Sequence, residues 1–204
     1  MSIYKQVLGE KFKELHPMLQ KRYELEGNVS YTATGVMKTI HGGPRMLYPL
    51  FFMGTRRKLL FPEHGKNIPF QIVNTPLIAK NGEQQVHWER IFYFEKKKRY
   101  FNALMSFDQE KKVIKDYFGE PSIFYSDLVL DVTDTGGLII KSSRQRLVLG
   151  RLEIPLPRLF QGIATVREEF DPKESIYIIY VTVINPIVGR LFAYEGTFTH
   201  DDIT

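Results

Sequence analysis

The chain predicts a mainly β (α+β) fold, an antiparallel up-and-down β barrel or half-barrel with N-terminal helices plugging or covering it, and three observations carry that expectation. From Pro69 onward, apolar residues recur with period two in one short segment after another. The connections between those segments are short and polar, so successive strands are antiparallel neighbours, because a parallel crossover needs a dozen or more residues. Ahead of them, Ile3, Val7, Phe12, Leu15, Leu19 and Tyr23 recur at spacings of three to five, the stripe of amphipathic helix packed on something larger. A long run of sequential antiparallel strands has edges to protect, and closing or half-closing the sheet protects them.

All 204 residues read as a single domain, with a helical prologue containing one strand over 1–60 and an antiparallel sheet over 66–200. Pro17 ends one helix and starts the next, since proline is tolerated in a first turn. Residues 31–40 make a strand that ends in the turn His41, Gly42, Gly43, Pro44, and 46–53 make a short apolar helix in spite of Pro49. In the next strand Val86, Trp88, Arg90, Phe92 and Phe94 share one face, with His87, Glu89, Tyr93 and Glu95 on the other. Further strands are expected at 99–107, 112–118, 123–133, 137–149, 163–170, 176–184 and 190–199. The separators are the basic run 95–99, Asp108 to Glu110, Thr135-Gly136-Gly137, Asp171-Pro172-Lys173 and Asn185-Pro186.

Composition excludes more than it assigns. The chain is 43% hydrophobic and 25% charged, which fits a globular core rather than a disordered or fibrous chain, and its 13% aromatic share favours strands or a ligand-sized apolar interior. With no cysteine there is no disulfide, thiolate metal site or cysteine nucleophile, as fits a cytoplasmic protein. Lys5, Glu10, Lys11, Lys13 and Glu14 interrupt the N-terminal apolar residues, so no secretory signal is expected. The apolar stretch 46–53 is far shorter than the roughly 20 residues that span a bilayer. Neither a G-x-S-x-G elbow, a phosphate-binding P-loop, a dinucleotide G-x-G-x-x-G turn nor an H-E-x-x-H helix occurs. His16, His41, His64, His87 and His200 are dispersed, so no metal and no cofactor is expected. Asn28 and Ser30 form a glycosylation acceptor without meaning in a cytoplasmic chain.

Charged residues interrupt several apolar strand faces. Arg90 lies between Trp88 and Phe92, Glu168 between Val166 and Phe170, and Arg190 alternates with Phe192 and Tyr194. If these faces point inward, Arg90 and Glu168 pair across the interior beneath the polar end of a ligand; otherwise they face solvent or form a purely structural pair. The expected ligand-binding set is therefore Trp88, Arg90, Phe92, Glu168, Arg190 and Tyr194, and the expected ligand is apolar or amphipathic and lipid-like. Two alternatives stand beside this. One is an enzyme using the same cavity, with Glu168 or His16 as acid/base and Arg90 as electrostatic stabiliser. The other is a filled barrel acting as a protein interaction module. The stretch 46–53, with Leu50, Phe51 and Phe52, and the basic triplet Arg56, Arg57 and Lys58 shortly after it read either as a patch for an anionic membrane or a partner, or as a core helix with a solvated end. The net charge of +5 favours anionic surfaces. Nucleic acid is not the expected partner, because Glu95, Asp108 and Glu110 dilute the basic clusters at 56–58, 96–99, 111–112 and 144–146.

An ordered set of signatures runs through nearly the whole chain: Leu15-His16-Pro17, Trp88 to Phe92, Phe118-Gly119, Leu149-Gly150, Ile154 to Arg158, Arg167-Glu168, and Pro186 to Gly189 leading to Tyr194-Glu195-Gly196. Their order and spacing resemble the bacterial family known as domain of unknown function 4166. The resemblance implies no particular activity. It does imply a stand-alone cytoplasmic protein, or a module that works beside saccharopine-dehydrogenase-like or multi-span membrane partners, so that any NAD(P) chemistry comes from a partner protein. It also implies turn roles for Pro186, Gly189 and Gly196, and a shared interior lined by Trp88, Arg90, Glu168 and Tyr194.

Overall fold

The computed structural model describes residues 1–25, 27 and 29–201, so the Asn28 acceptor lies outside the described residues. Twelve antiparallel strands form one sheet: β1 (Tyr31–His41), β2 (Gly65–Ile78), β3 (Gln84–Phe94), β4 (Lys97–Tyr100), β5 (Ala103–Asp108), β6 (Val113–Phe118), β7 (Phe124–Val132), β8 (Leu138–Leu149), β9 (Leu152–Pro155), β10 (Ile163–Asp171), β11 (Ile176–Asn185) and β12 (Gly189–His200). Ten of them close into a barrel. Around the wall the order is β10, β11, β12, β1, β2, β3, β5, β6, β7, β8, and the seam closes where Leu138, Ile139, Ile140 and Lys141 of β8 pair with β10. The strand expected in the helical prologue, β1, is thus part of the wall, between β12 and β2.

Strand alternation separates inside from outside. In β3, Val86, Trp88, Arg90 and Phe92 are buried while their neighbours are half-exposed, as a period of two requires. The outer face carries Glu89, Lys115, Lys141, Arg167 and Glu195, so the wall is not the apolar band of a membrane barrel. Among the described residues no helix is long and apolar enough to cross a membrane.

Helices α1 (Ile3–Leu8) and α2 (Pro17–Tyr23), joined by a 3-10 turn, close one end. They bury Ile3, Tyr4, Phe12, Leu15, Leu19 and Tyr23 in the common core. Pro17 occupies the first turn of α2, and His16 caps it by accepting from the Met18 N–H at 3.3 Å. The opposite end is crossed by a strap between β1 and β2 that contains α3 (Tyr48–Thr55).

Two boundaries differ from expectation. The stretch 99–107 is not one strand but β4 and β5, which pair in turn with the two ends of β3. Asn102 makes the break: fully buried, it accepts from the Arg90 N–H, donates to Glu120 Oε1 at 2.8 Å, and its own N–H is held by the Lys58 carbonyl at 2.8 Å. The basic run after Glu95 is accordingly only partly a turn, since Lys97 and Arg99 already belong to β4. The second difference is β9, a short hairpin partner of the end of β8 that extends the sheet beyond the barrel.

Gly196 also differs from the turn role the resemblance implied; it lies within β12, opposite Met37 of β1. A Cβ there would sit 2.3 Å from the Val36 carbonyl oxygen, so the two backbones approach too closely for any side chain. Gly196→Val is therefore expected to destabilise the barrel by at least about 2 kcal/mol, read as a lower urea midpoint at unchanged m-value. Gly189, at φ +81°, is the turn glycine of this pair.

Candidate functional site

The barrel interior holds two polar groups of residues embedded in aromatic and aliphatic side chains. The first lies beneath the helical plug. Arg22, on the buried face of α2 that also carries Leu19, enters the barrel and is 1% exposed. Its Nε donates to Glu168 Oε1 in a short contact, its Nη2 to Glu168 Oε2 at 3.3 Å, and its Nη1 to Asn74 Oδ1 at 3.2 Å. Tyr23 Oη donates to the same carboxylate at 3.2 Å. The guanidinium is ringed by Tyr31, Phe198, Tyr23, Trp88 and Tyr177, with its carbon 4.7 to 6.0 Å from their centroids. Burial alone would lower the Arg22 pKa, but the Glu168 carboxylate outweighs it and holds the group charged.

The second group sits deeper. Arg90 Nε donates to the Phe101 carbonyl at 2.6 Å, and its guanidinium stacks 3.9 Å from the Phe101 ring centroid. It is 3% exposed and makes no ion pair with any described residue, and its Nη2 has no hydrogen-bond partner. Across from it, on β6, Asp116 is buried with Oδ1 likewise unpartnered. Burial pushes the Asp116 carboxyl up to about 8, against the opposing pull of Arg90. Arg90 and Asp116 share an interior cavity of about 30 Å³ with Trp88 and with Met105, Leu128, Ile140, Val166, Val181 and Val183. That is room for one or two water-sized groups.

The six residues expected to bind ligand therefore separate. Trp88 and Arg90 line the cavity. Phe92 and Tyr194 pack on each other at 5.2 Å and on Phe70 and Phe192, in an aromatic layer whose Tyr194 hydroxyl lies within the field of the Arg90 guanidinium. Glu168 points inward as expected, but its partner is Arg22 rather than Arg90, because the plug delivers a guanidinium directly onto it. Arg190 is exposed at the rim: the β11–β12 register shifts between Val183 and Ile184, so the alternation that puts Phe192 and Tyr194 inside does not extend to it. No hydrogen bond joins His16 to Glu168; the His16 ring caps α2 and stacks on Phe170 at 4.9 Å. Two contributors escaped the sequence reading although both carried its signal. Arg22 falls three residues after Leu19 on the apolar stripe of its helix, and Asp116 lies between Ile114 and Phe118 at strand period.

A larger, open groove of about 710 Å³ runs along the outer wall past Lys115, Tyr117, Ile123 and Leu149. Two of its polar groups are already occupied, Lys115 by Glu83 at 2.5 Å and Tyr117 by Glu153 at 2.8 Å. Several basic clusters are likewise tied down: Arg99 and Lys97 to Glu63, Lys58 to Glu120, Lys111 to Asp108, and Arg146 to Glu153. Of the expected surface patch, Leu50 and Phe52 are exposed together with Arg56 and Arg57, whereas Phe51 is buried with its ring against Gly43. Helix α3 turns that one residue inward as the strap's anchor.

Comparison with known proteins agrees with the resemblance noted from the motifs. No solved structure matches the chain. It is 40% identical over 188 residues to "Uncharacterized protein YndH" of Bacillus subtilis (strain 168), covering 92% of each chain. The profile described as Domain of unknown function (DUF4166) matches residues 15–198, a span that takes in Arg22, Arg90, Asp116 and Glu168, and the chain belongs to that family.

Proposed function

We propose that this barrel is a binding protein for a small amphipathic molecule with an anionic or carbonyl head, held by Arg90 and Asp116. One observation supports the reading above the rest: Arg90 is a buried cation without an ion-pair partner, facing a cavity in which Asp116 also has an oxygen to spare. Buried charges are ordinarily paired, and an acceptor-rich head would complete this one. With its pKa near 8, Asp116 is mostly protonated at neutral pH and adds a second donor beside the guanidinium. The aliphatic wall of Met105, Val166, Val181 and Val183 suits an apolar remainder, which enters by displacing those side chains, since the free space of about 30 Å³ is smaller than a lipid chain requires.

Native mass spectrometry of protein purified without detergent tests this. The expected result is a small mass released on denaturation, absent from Arg90→Met and Asp116→Ala proteins that retain their circular dichroism. If the folded wild type carries no such mass and no small carboxylate raises its melting temperature, the reading fails. The filled-barrel interaction module is then favoured, as the small free volume also suggests.

A further inference from the structure

We infer that the barrel end opposite the helical plug docks on an anionic lipid surface. Three separate segments lie at that end: the strap with α3, which follows the end of β1 opposite the start of β12, the loop between β9 and β10, and the β11–β12 turn. Each presents large apolar side chains outward. Leu50 and Met53 of α3 are 61% and 66% exposed, Phe160 is 72% and Ile187 66% exposed, and Phe52 and Leu159 lie beside them in sequence. Buried Asn185 fixes two of these tips together: its Nδ2 donates to the Leu159 and Gln161 carbonyls at 2.8 Å each, and its Oδ1 accepts from the Ile187 and Val188 N–H groups at 2.9 Å. The strap is fastened on the other side of the barrel mouth, where the Arg57 and Lys58 carbonyls take the N–H groups of Glu120 and Asn102. The apolar residues are therefore held out on a rigid frame. Isolated exposed apolar residues are ordinary on a protein surface; a set gathered from three segments at one end marks an interaction site.

Charge identifies the occupant. Arg45, Arg56, Arg57, Arg158 and Arg190 are exposed at this end and make no ion pair with a described residue. Of the carboxylates near this end, Glu63, Glu120 and Glu153 are each tied to a cation of this chain, while Glu89 and Glu195 lie further down the wall. Unpaired arginines interspersed with protruding Leu, Met, Phe and Ile match the headgroup region of an anionic bilayer, where the guanidinium groups meet phosphates and the apolar tips reach the acyl boundary. A nucleic acid would satisfy the arginines and leave the aliphatic tips in water.

Sedimentation with phosphatidylcholine vesicles, with and without phosphatidylglycerol, tests the assignment. Binding is expected only with the anionic lipid, falling as salt screens it. Arg56→Ala with Arg57→Ala should lower the partition coefficient about tenfold or more, and Phe160→Asp should lower it comparably, whereas Ile78→Asp, an exposed residue at the plug end, should leave it unchanged. Circular dichroism establishes that each variant is folded. Absence of binding to either vesicle, equal binding to both, or equal loss in Ile78→Asp overturns the proposal. So does a concentration-dependent dimer that Phe160→Asp dissociates without any vesicle binding, which would assign the face to a second copy.

Discussion

Replacing Glu168 by alanine is expected to lower the unfolding free energy by about 3–5 kcal/mol and the melting temperature by roughly 10 °C. The truncation leaves the Arg22 guanidinium enclosed by five aromatic rings with its two bonds to the carboxylate gone, and Tyr23 Oη loses its acceptor as well. A water entering the space left by the side chain would accept a hydrogen bond but carry no charge, so the buried guanidinium, 1% exposed, stays without a counter-ion. The same reasoning makes a second result distinctive: Arg22→Met combined with Glu168→Leu removes both charges and should be less destabilised than Glu168→Ala alone. Trp88, the only tryptophan, lies against Tyr4, Tyr23 and Arg22 and reports on the plug by fluorescence during urea unfolding. Equal stability of wild type and Glu168→Ala would mean that the carboxylate does not anchor α2.

Asp116 should produce the opposite sign. Its folded-state pKa, raised to about 8 by burial, lies above the ordinary aspartate value of 3.8, so the folded protein retains a proton that the unfolded chain releases. The contribution of this group to stability is therefore fully present below about pH 4 and is lost progressively as pH rises to about 8. Several kcal/mol is the scale of a shift this large. Asp116→Asn, which cannot ionise, is expected to have nearly wild-type stability at pH 4 and to exceed it by a widening margin towards pH 8. Urea midpoints across that range check it, and parallel curves would show that Asp116 is not held protonated in the barrel.

How far the sequence revealed this molecule depended on the range of the interaction concerned. Period-two faces such as Val86, Trp88, Arg90 and Phe92 are a local property of the chain, and they placed most strands within a residue or two of where the barrel has them. Closure is not local, because the β8–β10 seam depends on a register that no segment records by itself. The division of 99–107 was hidden for a related reason: Asn102 breaks the strand only by bonding to Arg90, Glu120 and Lys58, none of them a sequence neighbour. At the site, the inward direction of Trp88, Arg90, Glu168 and Tyr194 was legible, but which charge meets which was not. Glu168 and Arg90 were legible as charges on inward faces, while the partner of Glu168 lies 146 residues away on a helix whose docking the strand pattern does not encode.

The pairing of β1 with β12 ties the order of synthesis to the completion of the fold. As the chain emerges, β1 and β2 can pair early, yet the other edge of β1 stays open until β12, the last strand, is made. Arg22 also waits for Glu168 through most of that interval. Until then the nascent protein carries a free sheet edge and an unneutralised arginine destined for an apolar interior, a state exposed to aggregation and slow to resolve because its decisive contacts are among the most distant in the chain. Ribosome-bound chains halted before residue 189 should therefore remain protease-sensitive across β1, and protection should appear in one step once the final strand is released.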